Sequence, residues 1–172
     1  MATHVITKYK LDQFWDDEFK TLDYITEPFN DPVSVGQWVT QGYSGKICGE
    51  LCDMRHQLPS WSNRFIELYT AEGWQDIGIA FYRMRTGTVI PNHRDLYKRY
   101  IELFNLHGQE HTISRALILL EDWKSGHYLE VVGEAIVGWS AGDVVEWTYD
   151  APHMAANIGL EDRYTLQITG HR

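Results

Sequence analysis

Trp139–Leu166 reads WSAGDVVEWTYDAPHMAANIGLEDRYTL, and its punctuation decides the fold class. Ser140-Ala141-Gly142-Asp143 is a turn signal, and Val144–Trp147 is a short apolar run. Asp150-Ala151-Pro152 breaks the chain again before a second run, Tyr164–Thr169, in which apolar and polar residues alternate. Runs of this length, rich in branched and aromatic residues and bounded by Gly, Pro and Asp, predict strands. Ile77–Arg85, His111–Leu120, Tyr128–Val132 and Ala135–Trp139 repeat the pattern, with Thr86-Gly87, Gly126 and Gly133 as breaks. Short strands at this spacing imply a mainly β fold, a sandwich or jelly-roll-like barrel of antiparallel sheets. A barrel open at one end is a natural place for a small-molecule site.

Ahead of the strands the period changes. Leu11, Phe14, Trp15, Phe19 and Leu22 recur at helical spacing with polar residues between them, which predicts an amphipathic helix. Asn30, Asp31 and Pro32 mark a turn. Ser60 or Ser62 is placed to cap a second helix carrying Phe65, Ile66 and Tyr69, with Gly73 as its stop. These flanking helices are expected to cover one face of the major sheet. With 172 residues the chain fits a single domain, 1–75 as a helical or mixed support and 76–172 as the β core.

Composition narrows the function classes. The chain is 44% apolar and 13% aromatic, so it can bury a core, and its net charge of −9 argues against an extended nucleic-acid surface. No apolar run approaches the ~20 residues of a membrane span. The first ten residues, MATHVITKYK, lack the apolar centre of a signal peptide. Cys48 and Cys52, spaced CGELC, read as reduced cysteines near a short helix, and a cytoplasmic location follows.

Four side chains carry the chemistry. His93 and Asp95 stand two apart in HRD, so on a strand or its extended exit both point to one side. A His–acid pair at this spacing arises about once by chance in a chain with 8 His and 24 acids, so the pair counts only in combination. His153 follows after 57 intervening residues, room for several strands to bring it back across the barrel. Two histidines and a carboxylate can take one face of a metal octahedron and leave the opposite face open, which suits ferrous iron and dioxygen. Ten residues beyond His153 come Arg163 and Thr165, two apart and so on one strand face. An Arg fork with an adjacent hydroxyl can hold a carboxylate. That distance is enough to finish one strand, turn and return antiparallel beside it. His107, His111 and His127 are expected in loops or at strand starts rather than as ligands.

The pattern HxD, a long gap, His, then Arg at plus ten followed by a hydroxyl residue resembles the 2-oxoglutarate/iron(II)-dependent dioxygenases. TGTVIPNHRD, with Gly87 six and Ile90 three residues ahead of His93, is similar to the approach in prolyl hydroxylases. The Trp139–Leu166 stretch resembles the aspartyl/asparaginyl β-hydroxylase branch. The resemblance covers residues 77–170 and implies a double-stranded β-helix (jelly-roll, cupin-like) core. It implies Fe(II) held by His93, Asp95 and His153, and 2-oxoglutarate held by Arg163 and Thr165. Arg115, 38 residues before His153, and Tyr82, eleven before His93, would be further co-substrate contacts. The implied reaction is hydroxylation of an unactivated C–H bond, using O2 and releasing succinate and CO2. The substrate is either a residue in a peptide or protein, or a small molecule. Asp95 departs from the β-hydroxylase branch, which typically lacks the carboxylate, and Leu117 stands where that branch tends to carry His. Two other readings remain at this point: a cupin-type metalloenzyme, an isomerase or direct dioxygenase without 2-oxoglutarate, and a non-catalytic jelly-roll binding module.

Overall fold

The structure, a computed structural model, describes residues 4–29, 31–47, 49–52 and 58–172. In chain order the elements are β1 Ile6–Lys10, β2 Tyr24–Thr26, α1 Pro32–Trp38, β3 Glu50–Cys52, α2 Ser62–Ala71, β4 Gln75–Met84, β5 Thr88–His93 and α3 Lys98–Phe104. They continue with β6 Ile113–Leu119, β7 His127–Val131, β8 Glu134–Ile136, β9 Asp143–Thr148, β10 His153–Asn157 and β11 Arg163–His171. The strands form two antiparallel sheets among the described residues, a large one in the order β1-β9-β6-β11-β4-β3-β2 and a small one in the order β5-β10-β7-β8.

Alternation on β11 explains the layering. Tyr164, Leu166 and Ile168 face a core behind the large sheet, where Phe65 and Tyr69 of α2 meet Phe81 and Ile118. Arg163, Thr165 and Gln167 face the opposite way, into the space between the sheets. The same space is closed by Leu117 and Leu119 of β6, Val145 and Trp147 of β9, and Leu129, Val131 and Ala155 of the small sheet. β6, which reads ISRALIL, is buried on both faces because it is a central strand with a core on each side.

The front third departs from expectation in several places. Leu11–Leu22 is not a helix: only Asp17–Thr21 turns, as a short 3-10 segment. Tertiary partners override the periodicity there. Leu11 N–H donates to Gly142 O at 2.9 Å, Trp15 Nε1 donates to Leu120 O at 3.0 Å, and Asp16 caps Glu18 N–H at 3.0 Å. Asp31-Pro32 starts a helix rather than a turn, because Asp31 accepts from Val33 N–H at 3.1 Å and Pro32 occupies the first turn. Asn30 lies outside the described residues. α2 begins after Trp61 with no side-chain cap, so neither Ser60 nor Ser62 caps it, while Gly73 ends it at φ +85°. α2 covers the large sheet; α1 instead carries its buried Trp38 to His93. β1, β2 and β3, none of them expected, extend the large sheet. No apolar run marks β5 or β10, although a strand or its extended exit was expected at His93 and a strand after His153.

Cys52 is buried, and Cys48 lies outside the described residues. Among the described residues no helix is long and apolar enough to cross a membrane.

Candidate metal centre

β5 and β10 pair antiparallel, and their register sets His93 directly opposite His153. The register slips between His153 and Ala155, opposite the segment that contains Pro91. Proline has no N–H for a ladder bond, but β5 is an edge strand, where that loss is tolerated. The bulge re-aims the strand ends toward the inter-sheet space. Asp95 lies two residues beyond the end of β5, before α3. His93 Nε2 is 3.8 Å from Asp95 Oδ1, and His153 Nε2 is 3.4 Å from Asp95 Oδ2. The three candidate ligand atoms lie within 4.8 Å of one another, so the group could hold a metal ion.

Backbone carbonyls fix both imidazoles. His93 Nδ1 is 2.8 Å from Pro91 O and His153 Nδ1 is 2.9 Å from Ala151 O. A carbonyl only accepts, so each Nδ1 carries the proton and each Nε2 turns a lone pair toward Asp95. Burial lowers both histidine pKa values, that of His153 to about 4. Burial pushes the Asp95 pKa up, but Arg115 and the two histidines outweigh it and hold the carboxyl below its ordinary range. Two neutral imidazoles and one ionised carboxylate, the donor set of a divalent first-row metal site, are therefore ready at neutral pH. Phe29 and Trp38 pack edge-on against His93 at 5.0 and 5.9 Å, and Trp147 lies 5.0 Å from His153, so aromatic rings exclude water from the flanks.

The triad opens onto a cavity of about 250 Å³. Arg163, Thr165 and Gln167 line it in a row along β11, with Tyr82 and Met84 beside them on β4. Thr165 stands directly opposite Tyr82 in that pairing. Arg163 is 6% exposed and Thr165 3%. Arg163 Nη1 donates to Tyr128 O on β7 at 2.8 Å, so its side chain spans from the large sheet to the small one. The expectation that β10 and β11 run side by side fails. β10 pairs with β5 and β7, β11 with β4 and β6, and the chain crosses between sheets after Asn157. Arg163 thus reaches the cavity from the wall facing His153.

Arg115 on β6 is half-buried and forms an ion pair with Asp95. Its guanidinium lies 4.8 Å over the Tyr97 ring, and Nη2 is 3.4 Å from Thr169 Oγ1. With the Gln167 carbonyl turned toward it, Arg115 Nε donates to that oxygen at 2.8 Å, and the Gln167 amide donates to the Tyr82 hydroxyl at 3.0 Å. Tyr82 therefore lies in the cavity wall, linked through Gln167 to Arg115.

Other residues fall elsewhere. His107 and His111 are exposed. His127 is buried, donates from Nε2 to Glu161 O at 3.0 Å and stacks near Trp139. Asn157 ties the β10–β11 loop to β4, donating to Met84 O and Glu161 O at 2.9 and 2.8 Å. Of Trp123, Trp139 and Trp147, only Trp147 lines the cavity. Sequence reasoning missed Gln167, although alternation in RYTLQIT puts it on the face of Arg163 and Thr165. It also missed the rim: Glu27, Pro28, Phe29, Gly49 and Leu51 come from the front third, and no local pattern marks them. Gly49 is required there by close approach, since a Cβ would fall 2.3 Å from Glu27 O, and Glu27 N–H donates to Gly49 O at 2.7 Å.

No family model matches the sequence, and no curated protein does. Among solved structures, the chain superposes on a prolyl-4-hydroxylase from Pseudomonas putida with a TM-score of 0.60 at 14% identity, covering 99% of this chain and 94% of that one. A predicted oxalate decarboxylase from Thermotoga maritima aligns with a TM-score of 0.41 at 15% identity, over 72% of this chain and 80% of that one. At such identity the first likeness speaks for the fold alone. The chain has two antiparallel sheets arranged as in that hydroxylase, and between them a His-Asp-His group able to hold a metal.

Proposed function

We propose that this chain is a 2-oxoglutarate- and Fe(II)-dependent oxygenase built on a double-stranded β-helix, hydroxylating an unactivated C–H bond. The observation that carries the reading is that His93, Asp95 and His153 share one cavity with buried Arg163 and Thr165. The strand order supports it: β4, β11, β6 and β9 interleave in the chain with β5, β10, β7 and β8, as two sheets wound from one double strand require.

The donor set fits ferrous iron. Bound there, the metal would supply the dioxygen chemistry that oxidises 2-oxoglutarate to succinate and CO2 and hydroxylates the substrate. The protein's own part follows from its residues. His93 and His153 present neutral Nε2 atoms because Pro91 O and Ala151 O take their Nδ1 protons. Arg163 and Thr165 offer a guanidinium fork and a hydroxyl for the distal carboxylate, with the Tyr82 hydroxyl beside them. Arg115 adds a second, half-buried cation next to Asp95. Phe29, Trp38 and Trp147 keep water from the metal's flanks.

The test is turnover without a known substrate. Purified protein with Fe(II), ascorbate and 2-oxoglutarate should release succinate slowly and in an oxygen-dependent way, and the Asp95→Ala variant should not. No succinate above the variant's level from metal-loaded protein would remove 2-oxoglutarate from the account.

A further inference from the structure

We propose that Arg115 is a positioning residue that holds one oxygen of Asp95, so that the carboxylate presents a single ligand atom to the metal. The inference rests on the metal site proposed above. The two histidines owe their aim to ordered strands and to carbonyls behind each Nδ1. Asp95 has neither, since it sits past the end of β5 in a stretch without strand pairing. Its orientation must come from side chains: among the described residues Arg115 reaches Asp95 Oδ2, and Tyr97 adds a side-chain hydrogen bond to the same carboxylate.

Arg115 is itself held from several sides. Tyr97 lies under the guanidinium, Thr169 receives Nη2 and the Gln167 carbonyl receives Nε. β6 and β11, which carry Arg115 and its two polar partners, are paired strands, with Arg115 directly opposite Thr169. The large sheet thus reaches across the cavity floor and grips the loop that carries the acid. Most of the fork is spent on protein groups, which suits an orienting role better than capture of a co-substrate.

The consequence is a coordination number. A carboxylate free to rotate can chelate through both oxygens and take a fourth site on the metal. With Oδ2 held by Arg115, His93, Asp95 and His153 would give a bound metal three protein atoms and leave room for a chelating 2-oxoacid and dioxygen. Gln167 extends the hold to Tyr82, coupling the carboxylate to the wall where the co-substrate would lie.

Mn(II) substitution makes this measurable without turnover, because water-proton relaxation counts the exchangeable waters on the metal. Wild-type protein, Arg115→Met and Arg115→Lys would be compared, with folding followed by far-ultraviolet circular dichroism. Arg115→Gln, which keeps a polar group against Gln167 and Thr169, gives the same readout if the methionine variant does not fold. The expected result is about one water fewer in the neutral variants than in wild type, with the lysine variant nearer wild type. A folded neutral variant with the wild-type water count would overturn the proposal. So would a tenfold loss of 2-oxoglutarate affinity in Mn(II)-loaded variants with the water count unchanged, which would make Arg115 a co-substrate contact. If wild-type protein binds no Mn(II) or Fe(II), the metal site itself fails, and this inference fails with it.

Discussion

Replacing Arg163 by methionine keeps most of the buried volume and removes the guanidinium. If Arg163 holds the distal carboxylate, the loss is a charge-assisted pair worth about 1.5–3 kcal/mol. That corresponds to a dissociation constant for 2-oxoglutarate raised about 10- to 150-fold. Thr165→Val removes only a neutral hydroxyl, about 0.5–1.5 kcal/mol, and should weaken binding several-fold. Arg163 also donates to Tyr128 O, so the methionine variant leaves that carbonyl without this donor and should lose about 1–3 kcal/mol of stability. The assay is calorimetric titration of Mn(II)-loaded protein without oxygen, with 2-oxoglutarate and with 2-oxobutyrate, which has the same chelating end and no second carboxylate. Arg163→Met should weaken 2-oxoglutarate within the range above and change 2-oxobutyrate by less than about threefold. Equal weakening of both ligands would mean that the variant damages the metal site. No weakening of either would remove Arg163 from co-substrate binding. Each of these results refutes the assignment.

Further expectations concern the pH response and the rim. His153 has a pKa of about 4 in the folded protein against 6.5 when unfolded, so between those values the unfolded chain binds the extra proton. Stability from this group is therefore complete above pH 6.5 and is lost as pH falls toward 4. Urea unfolding of the chelator-treated protein should show about 2 kcal/mol less stability at pH 5 than at pH 7, and His153→Gln should remove most of that difference. An equal slope in the variant would assign the effect to other groups. At the rim, Gly49→Ala drives a Cβ onto Glu27 O, and a forced shift of this kind costs about 1–3 kcal/mol. A thermal melt unchanged from wild type would mean that the rim yields freely.

Legibility in the sequence followed the range of each interaction. β11 was readable because a period of two is local, and it placed Arg163 and Thr165 on one face. β4, β6, β7 and β9 announced themselves as branched and aromatic runs. β5 and β10 did not, because one contains Pro91 and the other is HMAAN, and it is pairing with each other, and of β10 with β7, that makes them strands. Leu11–Leu22 had helical spacing, but its polar groups find partners in Gly142 and Leu120, more than a hundred residues away. The spacing of His93, Asp95 and His153 suggested a common site, and the register of β5 against β10 brings them together. Nothing local could tell that Arg115 would meet Asp95, or that Phe29 and Trp38 would pack on His93. Those contacts depend on how the sheets close and how the front segment lies over the opening.

Anaerobic titration of Fe(II) and 2-oxoglutarate into metal-free protein shows whether the two bind together in one cavity. A charge-transfer band at about 500 nm should require both components and vanish in His153→Ala. Iron bound by the wild-type protein with no such band on adding 2-oxoglutarate would contradict joint binding.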